Sequence, residues 1–148
     1  MPTDRDIEIL DLINTLAHQA TATMQRSLRE AELGLVAMEA RTLRFIARHP
    51  GCTQSDIVRE SGRDKAQIAR VVKVLLERGE IRRRPEAVGE KRQPLEVTQA
   101  GEASYARAES LRKDVAKAMA SGLGAAERRE LVRMLQHMAE RSREREDS

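Results

Sequence analysis

Residues 51–81 read GCTQSDIVRESGRDKAQIARVVKVLLERGEI, and the turn chemistry inside them decides what the rest of the chain becomes. Thr53 is placed to cap a helix, and Asp56 three residues on puts negative charge in its first turn, against the positive end of the helix dipole. That short helix runs to Ser61-Gly62. Asp64 then caps a second helix over residues 65–78. Its apolar residues Ile68, Val71, Val72, Leu75 and Leu76 form one stripe, and Gly79 stops it. Two short helices joined by Ser61-Gly62-Arg63 make a helix-turn-helix.

Downstream, residues 81–98 read IRRRPEAVGEKRQPLEVT. Residues 81–84 and 95–97 pair as a small antiparallel hairpin, and residues 85–92 between them are too polar and glycine-containing to be core. Helix-turn-helix followed by hairpin is the order of a winged helix. Upstream, apolar residues recur from Ile7 to Leu28 at three- and four-residue spacing, which predicts a long amphipathic helix stopping near Gly34. A second helix over residues 37–48, with Leu43 and Ile46 inward, ends at the breaker His49-Pro50-Gly51. After Thr98, another cap, a long helix runs to about residue 121. A last one starts at Ala125 and carries Leu131, Met134, Leu135 and Met138. Residues 141–148 are a charged tail expected to fray.

A chain of 148 residues suits one compact domain with an oligomerisation element. Its formal charge of +3 hides an asymmetry: residues 63–93 hold ten Lys/Arg against five Asp/Glu, and the remainder seventeen against nineteen. A basic segment on a slightly acidic body calls for an anionic partner, either nucleic acid or an acidic membrane surface. No stretch resembles a signal peptide or a membrane span, and the single cysteine makes no internal disulfide, so a cytoplasmic protein is expected. No Ser-His-Asp or Cys-His arrangement and no glycine-rich phosphate loop is present, which argues against an enzyme, and no cofactor is expected. His137 and Glu140 stand three apart on the last helix, but zinc wants three or four ligands, so no metal site is expected there.

On the helix over residues 65–78, Ala66, Arg70 and Lys73 lie opposite the apolar stripe, flanked by Gln67 and Ala69. That face is free to enter a major groove. Gln67 can pair with adenine and Arg70 with guanine or a phosphate, while Ala66 and Ala69 permit close approach to thymine methyls. Lys65, and Thr53, Gln54 and Ser55 on the preceding helix, are placed to hold phosphates. Lys91 and Arg92 at the hairpin tip suit an adjoining minor groove, and Arg82 and Arg84 share a strand face directed toward the duplex backbone.

With these motifs in this order, namely residues 51–81, then RRRP, GEKR and VTQAG, the chain resembles the MarR family of bacterial winged helix-turn-helix transcriptional regulators along nearly its whole length. The resemblance implies a mainly α fold with a small β-hairpin wing: a winged helix-turn-helix lobe plus a helical dimerisation region. We place the N-terminal dimerisation helix at 1–34, the DNA-binding lobe at 35–98 and the C-terminal dimerisation helices at 99–148. It also implies a homodimer whose two lobes face a pseudo-palindromic site in double-stranded DNA, with repression relieved by a small-molecule effector or an oxidant. The sequence departs from the family at Val36 and Ala40, where a Ser/Thr cap and a bulky aromatic are usual. It departs again at Glu90-Lys91-Arg92, where Asp-x-Arg is usual, and at Gly124, which replaces a Ser/Thr cap. The returning strand is one residue short and contains Pro94, which cannot donate a ladder bond.

Dimerisation has a physical argument of its own, because one winged helix makes too few phosphate contacts for operator-level affinity. The apolar residues Ile7, Leu10, Leu16, Leu111, Val115, Leu131, Met134 and Met138 exceed what one lobe needs. For the effector the resemblance points to a cleft between lobe and dimer core, with His18, Phe45 and Tyr105 as candidates to line it. Cys52 is the one candidate for redox sensing, although it stands where an apolar residue packs against Ile57. A winged helix whose basic face docks an acidic protein is the alternative reading, and DNA affinity falling steeply with salt separates the two.

Overall fold

The computed structural model describes residues 1–85 and 93–148. The chain divides into two compact units, Met1–Lys113 and Asp114–Ser148. In the first, helix α1 (Asp4–Glu30) starts three residues before the apolar repeat. The reason is a cap the repeat does not contain. The Thr3 hydroxyl oxygen accepts the Asp6 N–H at 3.1 Å, and the Asp6 carboxylate accepts the Thr3 N–H at 2.7 Å. Those two bonds to Thr3, the backbone one first, hold the Asp6 carboxyl below its ordinary range.

Helix α2 (Ala37–Arg48) has no side-chain cap at Val36. It is secured instead by Glu39, whose carboxylate accepts the Val36 N–H at 3.1 Å, and by Gln25 of α1, whose side-chain oxygen accepts the Ala37 N–H at 2.7 Å. The missing Ser/Thr cap is thus replaced from a neighbouring helix. Helices α3 (Gln54–Ser61) and α4 (Lys65–Glu77) follow, then strands β1 (Ile81–Arg83) and β2 (Leu95–Val97). The strands pair antiparallel with Ile81 opposite Val97 and Arg82 opposite Glu96. Pro94 stays outside β2 and serves as an acceptor, its carbonyl taking the Arg84 N–H at 2.9 Å. The hairpin has a further edge: Gly51 N–H donates to Leu95 O at 2.9 Å and Leu95 N–H to Cys52 O at 2.8 Å, a bridge the sequence reading did not foresee.

The lobe's core forms where α2 packs on α4 and β2, and α3 on α4. Leu43, Ile46, Leu75 and Leu95 are fully buried there, and Ala40, small where an aromatic is usual, is buried with them. Burying each leucine or isoleucine contributes about 1.5–3 kcal/mol. A polar strut completes the lobe. The Arg78 guanidinium donates to the carbonyls of Leu33 and Gly34, each at 3.1 Å, and to the Glu80 carboxylate at 3.0 Å, which also accepts the Ser104 hydroxyl at 2.8 Å. Ser104 belongs to α5 (Gln99–Met119). Thr98 opens that helix as expected, accepting the Gly101 N–H at 3.1 Å while its hydroxyl donates to Gly79 O at 2.6 Å. Gly101 lies so close that a Cβ there would come within 1.9 Å of the Glu80 carbonyl oxygen.

In the second unit, α6 (Ala125–Glu146) follows the end of α5. At its start the Gly124 N–H donates to the Glu127 carboxylate at 2.9 Å. The helix continues through the charged tail to Glu146, with Arg143 and Arg145 in its last turn, a favourable sign for the dipole's negative end. None of its residues is buried.

Candidate nucleic-acid interface

Each helix of the pair is started by a capping side chain just before it, and Gly62, Arg63 and Asp64 separate the two. Thr53 and Asp56 form a reciprocal cap on α3, with the Thr53 N–H 2.9 Å from the Asp56 carboxylate and the Asp56 N–H 3.3 Å from the Thr53 hydroxyl. Gly62 ends α3 in the left-handed conformation at φ 65°. Asp64 then accepts the Ala66 N–H at 3.0 Å, opening α4. This turn chemistry orients α4 so that Ile68, Val71, Val72 and Leu75 are buried.

The opposite face of α4 carries Lys65, Ala66, Arg70 and Lys73, all exposed, with Gln67 and Ala69 half-buried beside them. That is the arrangement its periodicity predicts. Among the described residues Lys65 and Arg70 have no ion-pair partner, whereas Lys73 faces Glu77 across 4.0 Å at an exposed position worth little. Of the α3 candidates, Thr53 and Gln54 are half-buried and Ser55 is exposed. The Thr53 hydroxyl already accepts the Asp56 N–H, so its role in α3 is occupied by the helix cap.

The hairpin divides its three arginines. Arg82 and Arg84 share Glu96, the first pairing with Oε1 at 2.7 Å and the second with Oε2 at 3.3 Å. Arg84 is further confined, since a Cβ at Gly51 would meet its guanidinium at 2.9 Å. Arg83 is exposed and has no partner among the described residues. Sequence reasoning chose Arg82 and Arg84, set Arg83 on the other face of the strand, and overlooked Glu96. The register supplies the missing signal, because Ile81 opposite Val97 puts Glu96 across from Arg82. Lys91 and Arg92 lie outside the described residues.

His18 is exposed on α1, and Tyr105 is half-buried against the lobe's core. Phe45 stacks on His49 with ring centroids 4.2 Å apart. The two rings help line an open depression of about 520 Å³ together with Cys52, Asp56, Arg59 and Glu60. A second feature, missed in the sequence, lies between α2 and α5. Glu109 accepts from Arg112 at 3.0 Å and sits 3.7 Å from the Arg44 Nε, which is buried and makes no hydrogen bond. Burial first, then the guanidiniums of Arg112 and Arg48, hold Arg44 below the usual guanidinium range. Of these three guanidiniums, Glu109 contacts those of Arg44 and Arg112.

Cys52 is buried within the same core cluster as Ile57. Burial, and secondarily the Asp56 carboxylate, push its thiol up to about 11. Reactive thiols need the opposite shift.

Of the residues expected at a dimer contact, Ile7, Leu10 and Leu16 are exposed on α1, and Leu131, Met134 and Met138 on α6. Leu111 packs against the lobe's core and Val115 is buried, so both are covered within the chain. Ile9, Leu12 and Ile13 on α1, and Val132 and Leu135 on α6, extend the exposed set. Among the described residues no helix is long and apolar enough to cross a membrane.

The profile of the MarR family matches residues 33–92, a segment that takes in α2, α3, α4 and β1 and stops short of β2. A search of curated proteins returned no match. A crystal structure of MarR is similar at 26% identity, covering 99% of each chain with a TM-score of 0.84. The transcriptional regulator SlyA is similar at 25% identity, covering 96% of each chain with a TM-score of 0.82. The Mycobacterium tuberculosis MarR family protein Rv2887, solved in complex with DNA, shares the fold at 22% identity, over 86% of this chain and 93% of that one, with a TM-score of 0.69. Rv2887 has also been solved with salicylic acid. Among the described residues, six helices and a two-stranded wing in this order, with the family's profile lying across the helix-turn-helix, give the chain a fold similar to that of the winged helix-turn-helix regulators of the MarR family.

Proposed function

We propose that this protein is a cytoplasmic, sequence-specific repressor that binds a pseudo-palindromic operator as a homodimer and is released by a small ligand. The observation that carries the reading is the outward face of α4. Lys65 and Arg70 stand there without ion-pair partners among the described residues, beside small alanines and Gln67, on a helix whose other side is anchored in the core. Unpaired cations and short side chains on one helix face suit a major groove: Gln67 and Arg70 read base edges, and Lys65 with Ser55 holds phosphate. Rv2887, bound to DNA with the same fold, supports this use of the lobe. On this reading residues 35–98 bind DNA, whereas 1–34 and 99–148 join the two copies.

The homodimer is supported by the exposed apolar side chains of α1 and α6, which no surface of the chain covers among the described residues. Release by a small ligand is preferred to release by an oxidant, because the Cys52 thiol is buried and raised to about 11. The uncompensated charge around Arg44, Arg48 and Arg112 favours an anionic ligand, and salicylic acid on Rv2887 is such an anion.

Selection of bound sequences from random duplex DNA tests the proposal, with an inverted repeat of half-sites one helical turn apart as the expected outcome. The variant R70A should then bind that repeat about 1–3 kcal/mol more weakly. Enrichment of no sequence, with equal binding to every duplex, would refute sequence-specific regulation and favour an acidic protein as the partner of the basic face.

A further inference from the structure

We propose that Glu96 sets how strongly the wing attracts DNA, acting as a charge brake on Arg82 and Arg84. The inference rests on the DNA-binding reading and adds a residue to it that opposes binding. Both Arg82 nitrogens that reach Glu96, Nε and one Nη, lie 2.7 Å from the same oxygen, Oε1. The other oxygen, Oε2, is taken by Arg84 Nε at 3.3 Å. One carboxylate thus engages two guanidiniums, leaving the three groups with one unit of positive charge where the two arginines alone would carry two. Arg83, with no partner among the described residues, is the cation that the strand presents freely.

The two arginines differ in how firmly they are held. The Arg84 side chain is 34% exposed and lies against the Gly51 backbone, so its ion pair ties β2 to the segment that leads into α3. The Arg82 side chain is 59% exposed and faces solvent beyond its pair. A phosphate approaching the wing must therefore compete with Glu96 for Arg82, exchanging one charge-assisted pair for another, and the net gain is smaller than for a free arginine. In counterion terms, the wing base releases about one ion fewer than its arginines would release alone.

E96Q isolates the charge, since glutamine keeps a side-chain oxygen to accept from an arginine but loses the negative charge. Affinity of the full chain for its selected repeat and for a random duplex should both rise about 3–10-fold at fixed salt. The plot of log affinity against log salt should steepen by about two units, one for each wing of the dimer. The double variant R82Q/E96Q, with the original net charge restored, should return to the wild-type slope. Equal affinity and slope in E96Q and wild type would overturn the proposal by placing the wing base away from phosphate. Weaker binding at an unchanged slope would overturn it in favour of a purely structural clamp. The wild-type control separates the two readings: if the unaltered protein shows no salt-dependent binding to any duplex, DNA binding itself fails and the brake falls with it.

Discussion

Helix α4 and helix α6 are both amphipathic, yet they dispose of their apolar residues in opposite ways. Thirteen-residue α4 buries Ile68, Val71, Val72 and Leu75. Twenty-two-residue α6 buries nothing, and Leu131, Val132, Met134, Leu135 and Met138 are each about 40–50% exposed. The contrast teaches that the lobe contains the partners its own sequence demands, while the last helix carries a demand that no other described part of the chain meets. In the homodimer we propose, a second copy meets it.

Four experiments can break or sharpen that contrast. The largest effect is expected from G101A, because a methyl group 1.9 Å from the Glu80 carbonyl forces α5 away from the lobe. Overpacking against backbone should cost about 3 kcal/mol or more, read as a lower urea midpoint. A loss below about 1 kcal/mol would show that the lobe yields there more easily than its packing implies. Next, the double variant L131E/L135E should halve the mass seen by light scattering while leaving the helical lobe folded by circular dichroism. A dimer that survives would move the interface off α6. T53A removes the α3 cap and should cost about 1 kcal/mol, and weaken operator binding in parallel, since the same turn places Ser55. The smallest signal is expected from Cys52. With the thiol at about 11 instead of near 9, its thiolate is roughly a ten-thousandth of the population at pH 7. Iodoacetamide labelling of the folded protein should thus be slow and rise about tenfold per pH unit up to about 11, whereas the urea-unfolded chain levels off about two units lower. Rapid labelling of the folded chain near pH 7 would reopen thiol-based sensing.

Much of the fold was legible because its signals are local. Thr53, Asp64, Gly79 and Thr98 act within a few residues of where they stand, and the stripe from Ile68 to Leu75 needs only its own spacing. The outward face of α4 follows from that stripe by elimination. What escaped notice depends on residues distant in sequence. The Gln25 oxygen that opens α2, the Cys52–Leu95 bridge, and the Arg44–Glu109 contact between α2 and α5 all require knowing which segments lie side by side. The hairpin shows both cases. Alternation separated Arg83 from Arg82 and Arg84, but only the cross-strand register reveals Glu96 and so identifies which arginines are already engaged.

The bridge between Cys52 and Leu95 also bears on motion. Its two main-chain bonds fasten the returning strand to the two residues ahead of the Thr53 cap, so the hairpin cannot swing without carrying the entry to α3 along. In the DNA complex we propose, β2 and the helix pair then tilt as one lever, and the reach between them is set by backbone.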